Sequence, residues 1–199
     1  MIENGFYNIM IVGIGGQGVM TIGKFFREYA MRLPNLKSLI SIENRGVSQR
    51  EGSTYCLVRY FLKDNKADDQ ENSQFIAPVP SIQSINLMIA LEPLEMIRNL
   101  QFIHPNAALF INNFPIIPKS SLTDKEIKYP DIDSAVEKIQ KFYPDIILNI
   151  KNYTKIALSK KGKSIYANNL ILQEIPENLP NIFQKDLFNK ILSDFFNKY

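Results

Sequence analysis

The sequence predicts an α/β fold of the doubly wound type, a single domain over residues 1–199 with a mostly parallel sheet flanked by helices. Three observations predict it. Four apolar residues, Ile9 to Val12, run straight into a loop dense in glycine. Behind that loop Val19, Met20, Ile22, Phe25, Phe26, Tyr29, Ala30 and Leu33 recur in steps of three and four, which puts them on one helical face. Short apolar runs then alternate with helical patterns along most of the chain, as in a sheet built from strand–helix units.

The elements follow in order. Ile9 to Val12 is a buried strand, and the helix opening near Val19 ends near Leu33, where Pro34 blocks continuation. A second strand spans about 38–42. Residues 43–52 are polar, carry two glycines and have no clean period, so they predict a loop or short irregular helix. Residues 53–61 are rich in β-formers and predict a strand. No crossover helix precedes it, which leaves room for an antiparallel strand.

Residues 63–74 have nothing to bury and predict an exposed, mobile loop. A buried strand at 85–91 leads to Pro93, placed for a first helical turn, and that helix is expected to continue to Phe102. His104, just before Pro105, is then expected at a helix end, on the surface. A strand at 107–111 ends in Asn112-Asn113. Pro115, Pro118 and Pro130 punctuate an irregular crossing. A helix at 134–143, a strand at 146–150 and helices at 153–159, 168–175 and 185–196 complete the chain.

Composition narrows the function classes. The apolar share is 45% and the charged share 22%, ordinary for a globular protein. With 23 basic and 20 acidic residues the formal net charge is +3, which does not suggest nucleic acid as a partner. The short cluster Lys160-Lys161-Gly162-Lys163 reads as a solvated turn. Cys56 is the only cysteine, so neither an intrachain disulfide nor a self-contained iron–sulfur cluster, which needs about four thiolates, is expected. The thiol falls in a strand-like run and reads as buried and inert. No apolar run approaches the roughly 18 residues of a membrane span. The first residues lack the pattern of a secretory signal, and a cytoplasmic address with no membrane partner is expected.

The glycine loop spells G-x-G-x-x-G at Gly13, Gly15 and Gly18. Glycine is required where φ is positive or where another group approaches closely. A glycine turn feeding a helix N-terminus aims N–H groups and a positive dipole end at one spot. A phosphate, a carboxylate from another chain, or nothing at all could occupy it. A dinucleotide fingerprint would also want an acidic residue at the end of the second strand, and Glu43 is close to that place. A nucleotide-dependent enzyme using NAD(P) or FAD, an anion-binding module and a purely structural turn therefore all remain open at this point.

Gly15-Gly16-Gln17-Gly18 at a strand–helix turn resembles the gamma-type subunit of 2-oxoacid:ferredoxin (acceptor) oxidoreductases. The resemblance extends to Glu43, Gly46, Gln49, Arg50, Gly52 and Ser53 and to the later Val58-Arg59. It departs at Glu51, where the family usually has glycine. Ala90-Leu91-Glu92-Pro93-Leu94-Glu95, the strand-ending Asn112 and Ala167-Asn168-Asn169-Leu170 match further family segments, with Gln173-Glu174 standing where a small Leu-Gly pair is usual. The matches cover about 8–172 and look most like the beta subunit of indolepyruvate:ferredoxin oxidoreductase. Gamma subunits of the pyruvate, 2-oxoglutarate and 2-oxoisovalerate enzymes share the domain.

The resemblance implies the Rossmann-like fold of domain III of pyruvate–ferredoxin oxidoreductase. It also implies membership of a complex that oxidatively decarboxylates 2-oxoacids to acyl-CoA. That complex is expected to use thiamine diphosphate, Mg²⁺, iron–sulfur clusters and coenzyme A. None of these is expected on this chain alone. The implied partner is a large subunit carrying the thiamine and iron–sulfur groups, with ferredoxin reached indirectly. No catalytic residue and no metal ligand is assigned. The candidate sites are a glycine-loop anion or interface site at Gly13, Gly15, Gly16, Gln17 and Gly18, and an interface loop at Glu43, Arg45, Gly46, Gln49, Arg50, Gly52 and Ser53. The bland reading of that second loop is solvated ion pairs contributing about 0–1 kcal/mol. Glu92 and Glu95 fit either dipole compensation at a helix start or a carboxylate pair for acid–base work.

Overall fold

Burial on both faces dictates the centre of the sheet. Strand β1 (Phe6–Ile14) is buried from Tyr7 to Gly13, which is why its middle reads as an unbroken apolar run rather than an alternation. The computed structural model describes residues 5–46, 52–62, 77–118 and 128–197. Among these, β2 (Leu36–Arg45), β3 (Ser53–Leu62), β4 (Ile85–Ala90), β5 (Ile103–Asn112) and β6 (Ile147–Lys151) join β1 in the order β2-β3-β1-β4-β5-β6.

The sheet is mixed. β3 is antiparallel to both β1 and β2, and the pairings β1–β4, β4–β5 and β5–β6 are parallel. Five strands therefore share one direction and β3 alone is reversed. The reason lies in connection length: residues 46–52 are too few for the dozen or more that a parallel crossover needs.

The strands send alternate residues into two layers. Tyr7, Ile9, Ile11, Val58, Tyr60, Leu87, Ile89 and Phe110 pack with α1 (Val19–Ala30), α5 (Ala167–Asn178) and α6 (Lys185–Phe196). Met10, Val12, Leu57, Met88, Leu109 and Ile111 pack with α2 (Pro93–Arg98) and α3 (Ile132–Phe142). The remaining helix, α4 (Tyr153–Lys161), follows β6. An aromatic knot closes the first layer: Phe25, Phe26 and Tyr29 of α1 meet Phe183 before α6 and Phe188 within it, all fully buried. Phe25 and Phe188 stand edge to face with centroids 4.9 Å apart, an arrangement that adds about 0.5–1.5 kcal/mol to the burial itself.

Several expectations need correction. β2 does not stop at residue 42. Glu43, Asn44 and Arg45 are strand residues because β3 offers them a ladder, opposite Cys56, Tyr55 and Thr54, and pairing overrides weak local β preference. The helix from Pro93 ends at Arg98 and a 3₁₀ turn takes Leu100–Phe102, so His104 is not at an α-helix end but is the second residue of β5. α5 runs past Pro176 to Asn178.

Other expectations hold. Lys160, Lys161 and Lys163 are exposed, at a helix end closed by Gly162. Cys56 is fully buried, and burial pushes its thiol pKa up. The unusual Glu174 acquires a role: its carboxylate takes Asn149 Nδ2 at 2.6 Å, Lys151 Nζ at 2.8 Å and the Tyr153 hydroxyl at 2.8 Å. It pins α5 to the edge strand β6. The expected loop at 63–74 lies outside the described residues.

Candidate functional site

Because β1, β2, β4 and β5 run the same way, their C-terminal ends meet along one edge of the sheet, where α/β folds place their sites. Register puts Ile14 opposite Ser53 and Arg45 opposite Thr54. The glycine loop and the β2–β3 loop are thereby neighbours. The Gly15 N–H donates to the Gly52 carbonyl at 3.0 Å, and the Gly46 N–H to the Ser53 carbonyl at 3.1 Å. Gln49 and Arg50 lie outside the described residues.

The glycines differ in what they require. At Gly13 an added Cβ would stand 2.8 Å from Gln17 Oε1 and 3.1 Å from Leu91 Cβ, so close approach excludes a side chain. Gly18 has φ +89°, and an added Cβ would stand 2.6 Å from Asn168 Nδ2. Gly16 is also left-handed but faces open space, and Gly15 is not left-handed. Gly18 leads into α1, which no side chain caps and whose first turn has no acidic residue. The positive end of the helix dipole is thus not compensated from within α1.

Gln17 braces this loop. Its Oε1 accepts from the Ile14 N–H at 2.7 Å and its Nε2 donates to the Leu91 carbonyl at 3.2 Å. Asn168 Nδ2, at the head of α5, donates to the Gln17 carbonyl at 2.8 Å. The Leu91 carbonyl also accepts from buried Asn112, which exchanges hydrogen bonds with Thr154 at the start of α4. One polar network therefore runs from the glycine loop across the ends of β4 and β5.

A second branch starts at the next residue. Glu92 and Glu95 are 0% and 1% exposed. Glu92 is the N-cap of α2, with its Oε2 accepting from the Glu95 N–H at 3.0 Å. Its Oε1 accepts from the Ile116 N–H at 3.2 Å and from the Tyr129 hydroxyl. Burial, then the Glu92 carboxylate, holds the Tyr129 phenol well above its ordinary pKa. Glu95 accepts from Ser53 Oγ at 2.5 Å and pairs with Arg98. Glu92 thus caps α2 and Glu95 braces the start of β3. Sequence alone left their roles open, and Tyr129 carried no signal because it lies 37 residues from Glu92 and in no periodic run.

Glu43 pairs with Arg27 at 2.9 Å and Arg45 at 3.4 Å. The Arg45 side chain is 74% exposed. Reversed β3 lies between β2 and β1, so Glu43 is two strand spacings from β1, roughly 10 Å. A dinucleotide site needs that acidic residue on the strand beside β1. The geometry therefore argues against the nucleotide reading. His104 lies at the other end of β5, eight residues or roughly 26 Å from Asn112, too far to join the edge. Among the described residues no group of three or more His, Cys, Asp or Glu could hold a metal. An open groove of about 590 Å³ lies away from the glycine loop, between α2 and α3, lined by Ile97, Leu100, Ile139 and Phe142 among others. Among the described residues the edge carries the glycine turn at the head of α1 and the exposed Arg45 guanidinium.

Residues 8–198 match the family described as Pyruvate ferredoxin/flavodoxin oxidoreductase. A curated relative from Archaeoglobus fulgidus, Indolepyruvate oxidoreductase subunit IorB, is 32% identical over 165 residues, covering 83% of this chain and 73% of that protein. Among solved structures, the keto/oxoacid ferredoxin oxidoreductase gamma subunit from Geobacter sulfurreducens aligns with a TM-score of 0.51 at 16% identity, over 96% of this chain and 97% of its own. A 2-oxoglutarate:ferredoxin oxidoreductase from Magnetococcus marinus, with 2-oxoglutarate, coenzyme A and succinyl-CoA bound, aligns with a TM-score of 0.63 at 14% identity. The alignment covers 98% of this chain but 28% of that one. At these identities the two structures show the shared fold.

Proposed function

We propose that this chain, which belongs to the pyruvate ferredoxin/flavodoxin oxidoreductase family, is the subunit without redox groups in a 2-oxoacid:ferredoxin oxidoreductase complex of the indolepyruvate type. The observation that carries this reading is the 32% identity, over 83% of the chain, to a subunit named for indolepyruvate. In such a complex a 2-oxoacid loses carbon dioxide, its acyl group passes to coenzyme A, and two electrons pass through iron–sulfur clusters to ferredoxin. Pyruvate, 2-oxoglutarate and 2-oxoisovalerate are the alternative substrates, since the gamma subunits of those enzymes share the domain that the sequence resembles.

The residues present do not fit a resident cluster, since one buried cysteine cannot supply about four thiolates. The reading therefore places the thiamine diphosphate, Mg²⁺ and clusters on a large partner subunit. This chain's own work is contact. The edge formed by Gly13–Gly18 and by Glu43, Arg45, Gly46, Gln49, Arg50, Gly52 and Ser53 docks near the partner's active site, where it organises subunit contacts or shields the site from water. The glycine loop, with its uncompensated helix end, is also the place on this chain suited to an anionic group. Residues 1–199 act as one domain. The proposed setting is the cytoplasm; among the described residues no helix is long and apolar enough to cross a membrane.

The test is reconstitution with the large subunit. Indolepyruvate-dependent viologen reduction should need both chains, and the isolated chain should be colourless and inactive. Arginine at a desolvated interface is a typical hot spot, so Arg50→Ala should weaken assembly by roughly 2 kcal/mol or more. Viologen reduction by the isolated chain, or tight NAD(H) or FAD binding in a titration, would refute the proposal.

A further inference from the structure

Both loops of the candidate edge are tied to one corner, the turn from β4 into α2. The Leu91 carbonyl holds the glycine loop through Gln17 Nε2 at 3.2 Å. Four residues on, Glu95 Oε2 holds Ser53 Oγ at 2.5 Å. Ser53 leads directly to the second loop. Its carbonyl takes the Gly46 N–H, and the carbonyl of its neighbour Gly52 takes the Gly15 N–H. Glu95 thus reaches the glycine loop through Ser53 and Gly52.

The Glu95 side chain is 2% exposed. Burying a carboxylate is costly unless charge and hydrogen bonds satisfy it. Arg98 supplies the charge and Ser53 the second donor. Helix capping does not require Glu95, because Glu92 already caps α2. What its carboxylate adds is a fixed link between a helix in the second layer and the start of β3.

We infer that Glu95 is a positioning residue. Acting through Ser53, it sets the placement of Gly46, Gly52 and Ser53, where β2 ends and β3 begins, against the glycine loop on the surface that docks on the large subunit. The inference rests on the proposed docking role of this edge, and it goes further by naming what shapes that surface.

Ser53→Ala removes only the donor and leaves Glu95 paired with Arg98. Ser53→Thr restores a hydroxyl. The experiment measures, for both variants and the parent, the melting temperature, the exchange rates of the Gly15 and Gly46 amides, and the affinity for the large subunit. Ser53→Ala should melt within a few degrees of the parent. Both amides should exchange about tenfold faster and affinity should fall by about tenfold, the order expected for losing one hydrogen bond to a charged group. Ser53→Thr should restore both readouts. Parent-like exchange and affinity in Ser53→Ala overturn the inference. Weakened binding with parent-like exchange also overturns it, because the hydroxyl would then touch the partner itself. Faster exchange with parent-like affinity shows a tether irrelevant to docking, and overturns it too. A parent chain that does not bind the large subunit refutes the docking role and this inference with it. That result is told apart from the others because it appears before any substitution is made.

Discussion

Gly18→Ala should be the most informative single substitution at the glycine loop. The residue sits at φ +89°, where an L side chain costs about 1–2 kcal/mol. The new Cβ would also stand 2.6 Å from Asn168 Nδ2, the atom that donates to the Gln17 carbonyl at 2.8 Å. Asn168 must swing away, and losing that bond costs about 0.5–1.5 kcal/mol more. The two terms sum to roughly 1.5–3.5 kcal/mol. At about 2–4 °C per kcal/mol for a chain of this size, the melting temperature should fall by roughly 3–14 °C. Urea titration of the parent, Gly18→Ala, Asn168→Ala and the double variant separates the terms. With Asn168 already removed, Gly18→Ala should cost only the backbone part, about 1–2 kcal/mol. Parent-like stability of Gly18→Ala, or strictly additive losses in the cycle, would refute the placement of α5 against the glycine loop. Gly16, at φ +97° but facing open space, should lose only the backbone part on substitution by Ala, about 1–2 kcal/mol.

Three further outcomes follow from the same structure. Phe188→Ala in the aromatic knot should destabilise by about 3–5 kcal/mol in a urea melt; a loss below about 1 kcal/mol would mean α6 does not seal the first layer. For Glu174, burial raises the carboxyl pKa, but hydrogen bonds from Lys151, Asn149 and Tyr153 outweigh it and hold it below its ordinary value. A depressed folded pKa gives stability above the unfolded value, about 4.3, that is lost as pH falls through the folded one. Melting temperature should therefore drop more steeply below about pH 4 in the parent than in Glu174→Gln; identical slopes would count against the β6–α5 pin. Cys56, buried with its thiol pKa raised, should react with a thiol reagent only on unfolding, and rapid labelling of the folded chain at pH 8 would contradict that burial.

The sequence by itself determined what local periodicity encodes. β1 and α1 were legible because an apolar run, a glycine turn and a 3.6-residue stripe each have one economical backbone solution. α6 runs Lys185–Phe196 as expected. The reversed β3 was foreshadowed by the short link before it. The glycine loop and the β2–β3 loop could be picked out as unusual, and their strands' shared direction put them on one edge.

Only the tertiary structure decided what those residues touch. Glu43 to Arg45 became strand because β3 pairs with them. Gln17, named from sequence only as a member of the glycine-loop site, holds the loop by bonding Leu91, 74 residues on. Asn168 closes on the same loop from 151 residues away. Glu92 and Glu95, equally consistent with a solvated first turn, are buried because Tyr129, Ile116 and Ser53 arrive from distant segments to satisfy them. A side chain's local sequence sets its conformational preference, but its burial and its hydrogen-bond partners belong to whatever the fold brings beside it.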